Sequence, residues 1–220
     1  MENNATPPDA GNWIDLARDR ANTYTLLSRV WGAEVDAGLW EALRVMEFPQ
    51  LSELAAVDAA YRRLEKACQE AGDGILVELR VDYARLCLGS DPREGADPYE
   101  SVHRNKEGLL MQDEWEAVLN LYRELGMQRS EGVHESEDHL ALELECMAGL
   151  CERQAQALEA GELPEAAWWL DRQALMLDEH LLKWTPSFNR KVQALGQTEF
   201  YKAIGDLTEA YLILDRQWMA

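Results

Sequence analysis

Positive charge is what this 220-residue chain has least of: 21 Lys and Arg face 41 Asp and Glu, a formal charge of -20 at pH 7. Attraction to phosphate, the main sequence-independent term in nucleic-acid binding, becomes repulsion on such a surface. DNA, RNA and anionic membranes are thereby excluded as expected partners. A cationic peptide would be drawn in, although the same charge also serves solubility alone. Long apolar runs are missing too. No segment approaches the roughly 18 uninterrupted apolar residues of a membrane span, so no direct membrane insertion is expected. The start, MENNATPPDAGNW, lacks the basic opening and apolar stretch of a secretory signal, which reads as a cytoplasmic protein. Cys68, Cys87, Cys146 and Cys151 form no C-x-x-C pair, and a chain that can bury a real core needs no disulfide framework. Glycine-rich phosphate loops and the H-E-x-x-H zinc motif are absent, which removes the usual warrants for nucleotide and zinc chemistry.

What the chain does have is a helical period. Hydrophobic residues make up 47% of it, eight tryptophans among them, enough for a packed core. Apolar residues recur every three or four positions through Trp13, Leu16, Tyr24, Leu27 and Trp31, with Gly32 as the stop. A short helix is expected from Asp36 to Met46 and a longer one from Leu51 to Ala71, ended by Gly72-Asp73-Gly74. ILVELRVDYARLCLG sets Leu76, Leu79, Tyr83, Leu86 and Cys87 near one face of a further helix; its β-branched residues tempt a strand reading that its length opposes. Ser90 to Gly108 breaks the period and reads as a long loop, a kind that often carries function. Helices resume at about Leu110–Leu125, Ser136–Ala160, Pro164–Trp184, Phe188–Leu195 and Thr198–Trp218. The expectation is an all-α bundle of roughly eight to nine helices, a single domain over 13–220 behind a flexible tail at 1–12.

ESEDHLALEL, Glu135 to Leu144, sets charge against apolar residues. Ser136 with Glu137 and Asp138 would make a helix start, the serine accepting from an open backbone N–H and the acids facing the positive end of the dipole. That leaves His139 unexplained. A dinuclear metal site needs two Glu-x-x-His motifs, and the chain offers one, Glu100 to His103, in the long loop. A Cys–His dyad fails on distance, since Cys146 and Cys151 stand about two and three turns from His139. No catalytic residue, metal ligand or cofactor is therefore expected. Leu140, Leu144, Met147 and Cys151 are spaced to pack inward beside an acidic helix start, a geometry suited to a peptide with positive charge ahead of an apolar stretch.

DYARLCLGS (Asp82–Ser90), PYESVH (Pro98–His103) and EDHLALELECM (Glu137–Met147), followed by HLLKWTPSF and EFYKAIGDLTEAYLILD, resemble in order the TorD/DmsD family of redox-enzyme maturation chaperones. The resemblance runs from about residue 13 to 217. It implies an all-helical, nonenzymatic cytoplasmic protein. Its partners would be the twin-arginine signal peptide of a molybdopterin-containing oxidoreductase and that enzyme, whose export it would hold back until the cofactor is loaded. By position, Tyr83, Leu86 and Cys87 match an apolar patch attributed to peptide binding, Pro98, Tyr99 and Ser101 a loop motif, and Asp138 and His139 a signature pair. Cys87, His103 and Ser136 depart from residues common in the family. The expectation for the pair is that Asp138 accepts from one His139 ring nitrogen and fixes its tautomer, so that the two organise a surface without holding up the fold. Relatives also suggest a domain-swapped homodimer through a hinge at Gly126–Glu135. Two alternatives stay open: an assembly factor gripping a mature, leaderless subunit, and a small helical metalloenzyme.

Overall fold

The computed structural model describes residues 10–48, 54–89, 95–129, 132 and 134–219. Ten α-helices and one π-helical turn account for its regular structure among these residues: α1 Ala10–Gly32, α2 Ala37–Val45, α3 Ala55–Gln69, α4 Ile75–Cys87, α5 Glu100–Arg104, α6 Asp113–Glu124, α7 Leu140–Glu159, α8 Leu163–Leu175, the π turn Met176–Leu181, α9 Leu182–Leu195 and α10 Glu199–Trp218. α8, the π turn and α9 run on without a break, so the described residues form nine separate rods. The only β-type pairing among the described residues is a single antiparallel bridge between Tyr99 and His139.

Local signals place several helix ends. Asp36 caps α2, its carboxylate accepting from Leu39 N at 2.8 Å, a bond that also lowers its pKa. Gly74 stands before α4 at φ +92°, a left-handed conformation that Gly adopts without a side-chain clash. α1 begins at Ala10 rather than Trp13. The expected tail up to residue 9, the start of the third helix before Leu54, and Ser90 to Arg93 with Glu94 lie outside the described residues, as do positions 130, 131 and 133 of the hinge segment.

α1 and α7 lie side by side and antiparallel: Ser28 Oγ donates to Ala141 O at 2.8 Å, while Arg18 meets Glu159 at the far end. α10 covers the other flank of α1. Trp31 Nε1 donates to Thr208 Oγ1 at 3.0 Å, and the Trp31 ring lies 4.9 Å from Phe188, edge to face. α9 and α10 approach most closely at Gly205, where a Cβ would meet Asn189 Oδ1 at 2.5 Å. Two buried polar knots interrupt the apolar core. In the first, Arg20 donates to both oxygens of Asp215, at 2.5 and 2.9 Å, and to Gln173 Oε1 at 2.6 Å, tying α1, α8 and α10; Tyr24 adds a bond to Asp215 at 2.6 Å. The second knot organises the site described below.

Two expectations are corrected. The helix that the sequence pattern splits between Trp184 and Phe188 is continuous through Pro186, because buried Trp184, Phe188 and Val192 hold it on the core and outweigh the bond lost at Leu182 O. The long loop contains the helical turn α5, whose cap comes from a residue distant in sequence.

Replacing Asp215 by Ala would leave the Arg20 guanidinium, only 4% exposed, without its carboxylate. We expect a loss of about 3–5 kcal/mol in urea unfolding, against under ~1 kcal/mol for the exposed pair Arg44–Glu41.

Candidate functional site

The segment ahead of α7 and the loop ahead of α5 are bound together by one carboxylate. Asp138 Oδ2 accepts from Ser101 N at 3.0 Å and Ser101 Oγ at 2.6 Å, and its Oδ1 accepts from Ser136 Oγ at 2.6 Å. Backbone bonds reinforce the joint: Glu100 N donates to Asp138 O at 3.0 Å, and Leu140 N to Pro98 O at 2.8 Å. Tyr99 is the N-cap of α5 but supplies no side-chain bond; Asp138 does that work from 37 residues along the chain. Asp138, Ser101 and Pro98 are buried.

His139, not Ser136, is the N-cap of α7. Its Nδ1 accepts from Ala141 N at 3.1 Å, which requires that nitrogen to be unprotonated. Burial lowers the His139 pKa to about 4, against an opposing pull from Glu135 and Asp138. The expected Asp138–imidazole bond is therefore replaced by a backbone cap, because the Asp138 oxygens are taken by the two serines. Nor does Asp138 stand on an exposed rim: it is fully buried. What reaches solvent is Tyr99, half-buried, its ring edge-on to His139 at 4.9 Å and its hydroxyl donating to Glu135.

Behind the loop lies a second buried cluster. Glu100 accepts from Arg104 and from His180 Nδ1, the latter at 2.9 Å. The π turn that carries His180 widens the rod at this point. Glu143, on the first turns of α7, accepts from Trp184 Nε1 at 3.1 Å. Burial, then the neighbouring Glu100, raises its pKa well above the ordinary value, and its other oxygen, Oε1, is buried without a hydrogen-bond partner. His103 completes the wall: its ring stacks on Trp184 at 5.4 Å, and it bonds the carbonyls of Ala96 and Asp97 and the hydroxyl of Ser187. An imidazole thus takes part in the aromatic packing of this wall. With both nitrogens engaged it is no open metal ligand, and among the described residues no group of three or more His, Cys, Asp or Glu is arranged to hold a metal.

α4 meets this assembly at its end. Leu86 O accepts from Ala96 N at 2.8 Å and Asp97 N at 3.2 Å, which seats the loop on the helix terminus. Tyr83, Leu86 and Cys87, expected as an open apolar floor, are all buried in the core, at 5%, 0% and 7% exposure. Tyr83 and Leu86 face inward because the α4 inner face must cover α10 and Trp31, whose carbonyl Tyr83 OH reaches at 3.4 Å. The thiols are held as thiols: burial pushes Cys68 up to about 11 and Cys151 to about 12, and raises Cys87 and Cys146 further.

The structure therefore brings Pro98, Tyr99, Ser101, Asp138 and His139 into one joint and sets Tyr83, Leu86 and Cys87 beneath it. Glu100, Glu143 and His180 belong to the same assembly, and the sequence pattern did not single them out as partners. Beyond Glu100's place in the Glu-x-x-His motif and Glu143's spacing one turn after His139, neither of which pairs them, their sequence signal is polarity at positions that fall on inward helix faces.

Asp138→Ala would strand the Ser101 amide and two buried hydroxyls. We expect about 3 kcal/mol lost, a Tm lower by roughly 6–12 °C, so this residue does hold up the fold. His139 makes stability fall in acid. The unfolded residue takes up a proton below about 6.5 and the folded one only near 4, so stability present above pH 6.5 is lost as pH drops through that window. His139→Asn keeps an acceptor for Ala141 N without titrating. Its urea stability relative to the parent chain should improve by up to roughly 3 kcal/mol between pH 7 and pH 4.

A family model described as the nitrate reductase delta subunit matches residues 52–190. The chaperone protein TorD of Aliivibrio fischeri is 32% identical over 217 residues, covering 91% of this chain and 94% of its own. TorD of Vibrio cholerae serotype O1 (El Tor Inaba N16961) is 30% identical, covering 91% and 92%. TorD of Vibrio parahaemolyticus is 29% identical over 164 residues, 74% of each chain. The all-α fold agrees with what the motif order implied, and the chain belongs to the TorD family of redox-enzyme maturation chaperones.

Proposed function

We propose that this chaperone binds the twin-arginine signal peptide of a molybdopterin-containing oxidoreductase in the cytoplasm, and holds back export while the cofactor is loaded. The observation that carries this reading is the half-buried Tyr99 bonded to Glu135 on a loop pinned by Asp138. An arginine guanidinium is planar, stacks on aromatic faces and pairs with carboxylates, so a rigid tyrosine with a glutamate at its hydroxyl suits it. The loop is pre-organised, so little ordering entropy is lost on binding. The net charge of -20 steers a basic leader toward the chain from a distance and repels nucleic acid. The role needs no bond-making group, and the buried thiols and engaged histidines of the site fit it.

Titration calorimetry of the full chain with a synthetic twin-arginine leader tests this. Alanine in place of the arginine pair should weaken binding at least ~10-fold, and Glu135→Gln should weaken the arginine peptide alone. Raising salt should weaken it further, by the ionic share. Equal affinity for both peptides would remove the leader reading and favour a grip on the mature enzyme.

A further inference from the structure

α4 has a second apolar face, and it is turned outward. Val77 is 62% exposed, Val81 54% and Leu88 59%, with half-buried Ala84 between them. Their spacing of four, three and four residues is that of the a and d positions of a helix–helix seam. Among the described residues no element covers them, while the inner face of the same helix, Leu79, Tyr83 and Leu86, is buried. Val77 and Val81 share a hollow of about 310 Å³ with Glu78, Gln197 and Thr198 at the start of α10. This floor is rigid, because Asp82 on α4 accepts from Gln197 N and Thr198 N, at 3.0 and 2.8 Å, and so locks the two helices together.

Resting on the leader reading above, we propose that this face is the seat for the leader's apolar segment, bound as a helix along Val77, Val81, Ala84 and Leu88. Continuity with the site supports this occupant. The stripe ends at Leu88, two residues beyond Leu86, whose carbonyl accepts from the Ala96 and Asp97 amides, so its end lies beside the loop that carries Tyr99. Length supports it as well: from Val77 to Leu88 the helix rises roughly 16 Å, the span of about 11 helical residues, within the 7–15 of a signal peptide's apolar core. Charge favours a basic leader over a second copy as the occupant, because each copy carries -20. A deeper apolar hollow of about 400 Å³, lined by Trp13, Leu158, Leu163 and Trp218, lies roughly 27 Å along α7 from His139, too far to share the joint.

The test uses the full chain and a labelled synthetic peptide, an Arg-Arg pair followed by about 12 alternating Leu and Ala residues, read by fluorescence anisotropy and circular dichroism. Val77→Glu with Val81→Glu should weaken binding at least ~10-fold at unchanged Tm, since both side chains already face water. Val77→Thr with Val81→Thr should weaken it less, and the bound peptide should gain helical signal. Should the parent chain bind while the glutamate variant binds equally, or the bound peptide stay non-helical, this seat is refuted and the leader reading stands. No binding by the parent chain would refute both. Leu88→Cys carrying a photo-crosslinker should label the peptide; labelling of a second copy instead would identify a self-interface and overturn the proposal.

Discussion

The organisation of the site depends on one buried carboxylate. Asp138 has no solvent to satisfy it, and its oxygens are met by an amide and two hydroxyls supplied from both sides of a gap in sequence. A charge placed so deep is tolerated only when its acceptor sites are filled, so the loop from Ala96 to Ser101 and the turn before α7 must form together. Once they do, the remaining features follow. Leu140 finds Pro98 for its amide, His139 is free to cap α7, and Tyr99 is left as the part of the joint that meets solvent.

The helical architecture was legible because it is written in local periodicity. The stripes through Tyr24, Leu27 and Trp31 and through Leu140, Leu144 and Met147 face the core as their spacing implied, and Asp36 and Gly74 mark helix starts by rules that act within one turn. Interactions that cross the chain were not legible. The cap on α5 comes from Asp138 and the lock on α10 from Asp82, and no local pattern announces either. Pro186 reads as a break until the packing of Trp184 and Phe188 is known. The same holds for the site. Its residues were found as a group through motif order, yet their roles shifted: Asp138 pins backbone rather than imidazole, and Tyr83, Leu86 and Cys87 support the surface from below. Val77 and Val81, noted only for their β-branching, turn out to be the exposed apolar residues of that helix.

This division suits a chaperone of the TorD family. Groups that would be reactive in the open are buried or engaged by neighbours: the four thiols, Glu143, and His103, His139 and His180. The outward surface is acid beside exposed aliphatic side chains. On such a surface charge orients a partner and apolar burial supplies affinity.

Hydrogen exchange of the full chain, alone and with a twin-arginine leader, tests the central claim most directly. The account predicts that the Glu100 and Ser101 amides already exchange slowly in the free chain, and that added protection on binding is confined to α4, the segment from Ala96 to Arg104 and the turn from Glu135 to His139. Fast exchange at Ser101 in the free chain, or protection appearing around Trp13 and Leu163 instead, would contradict it.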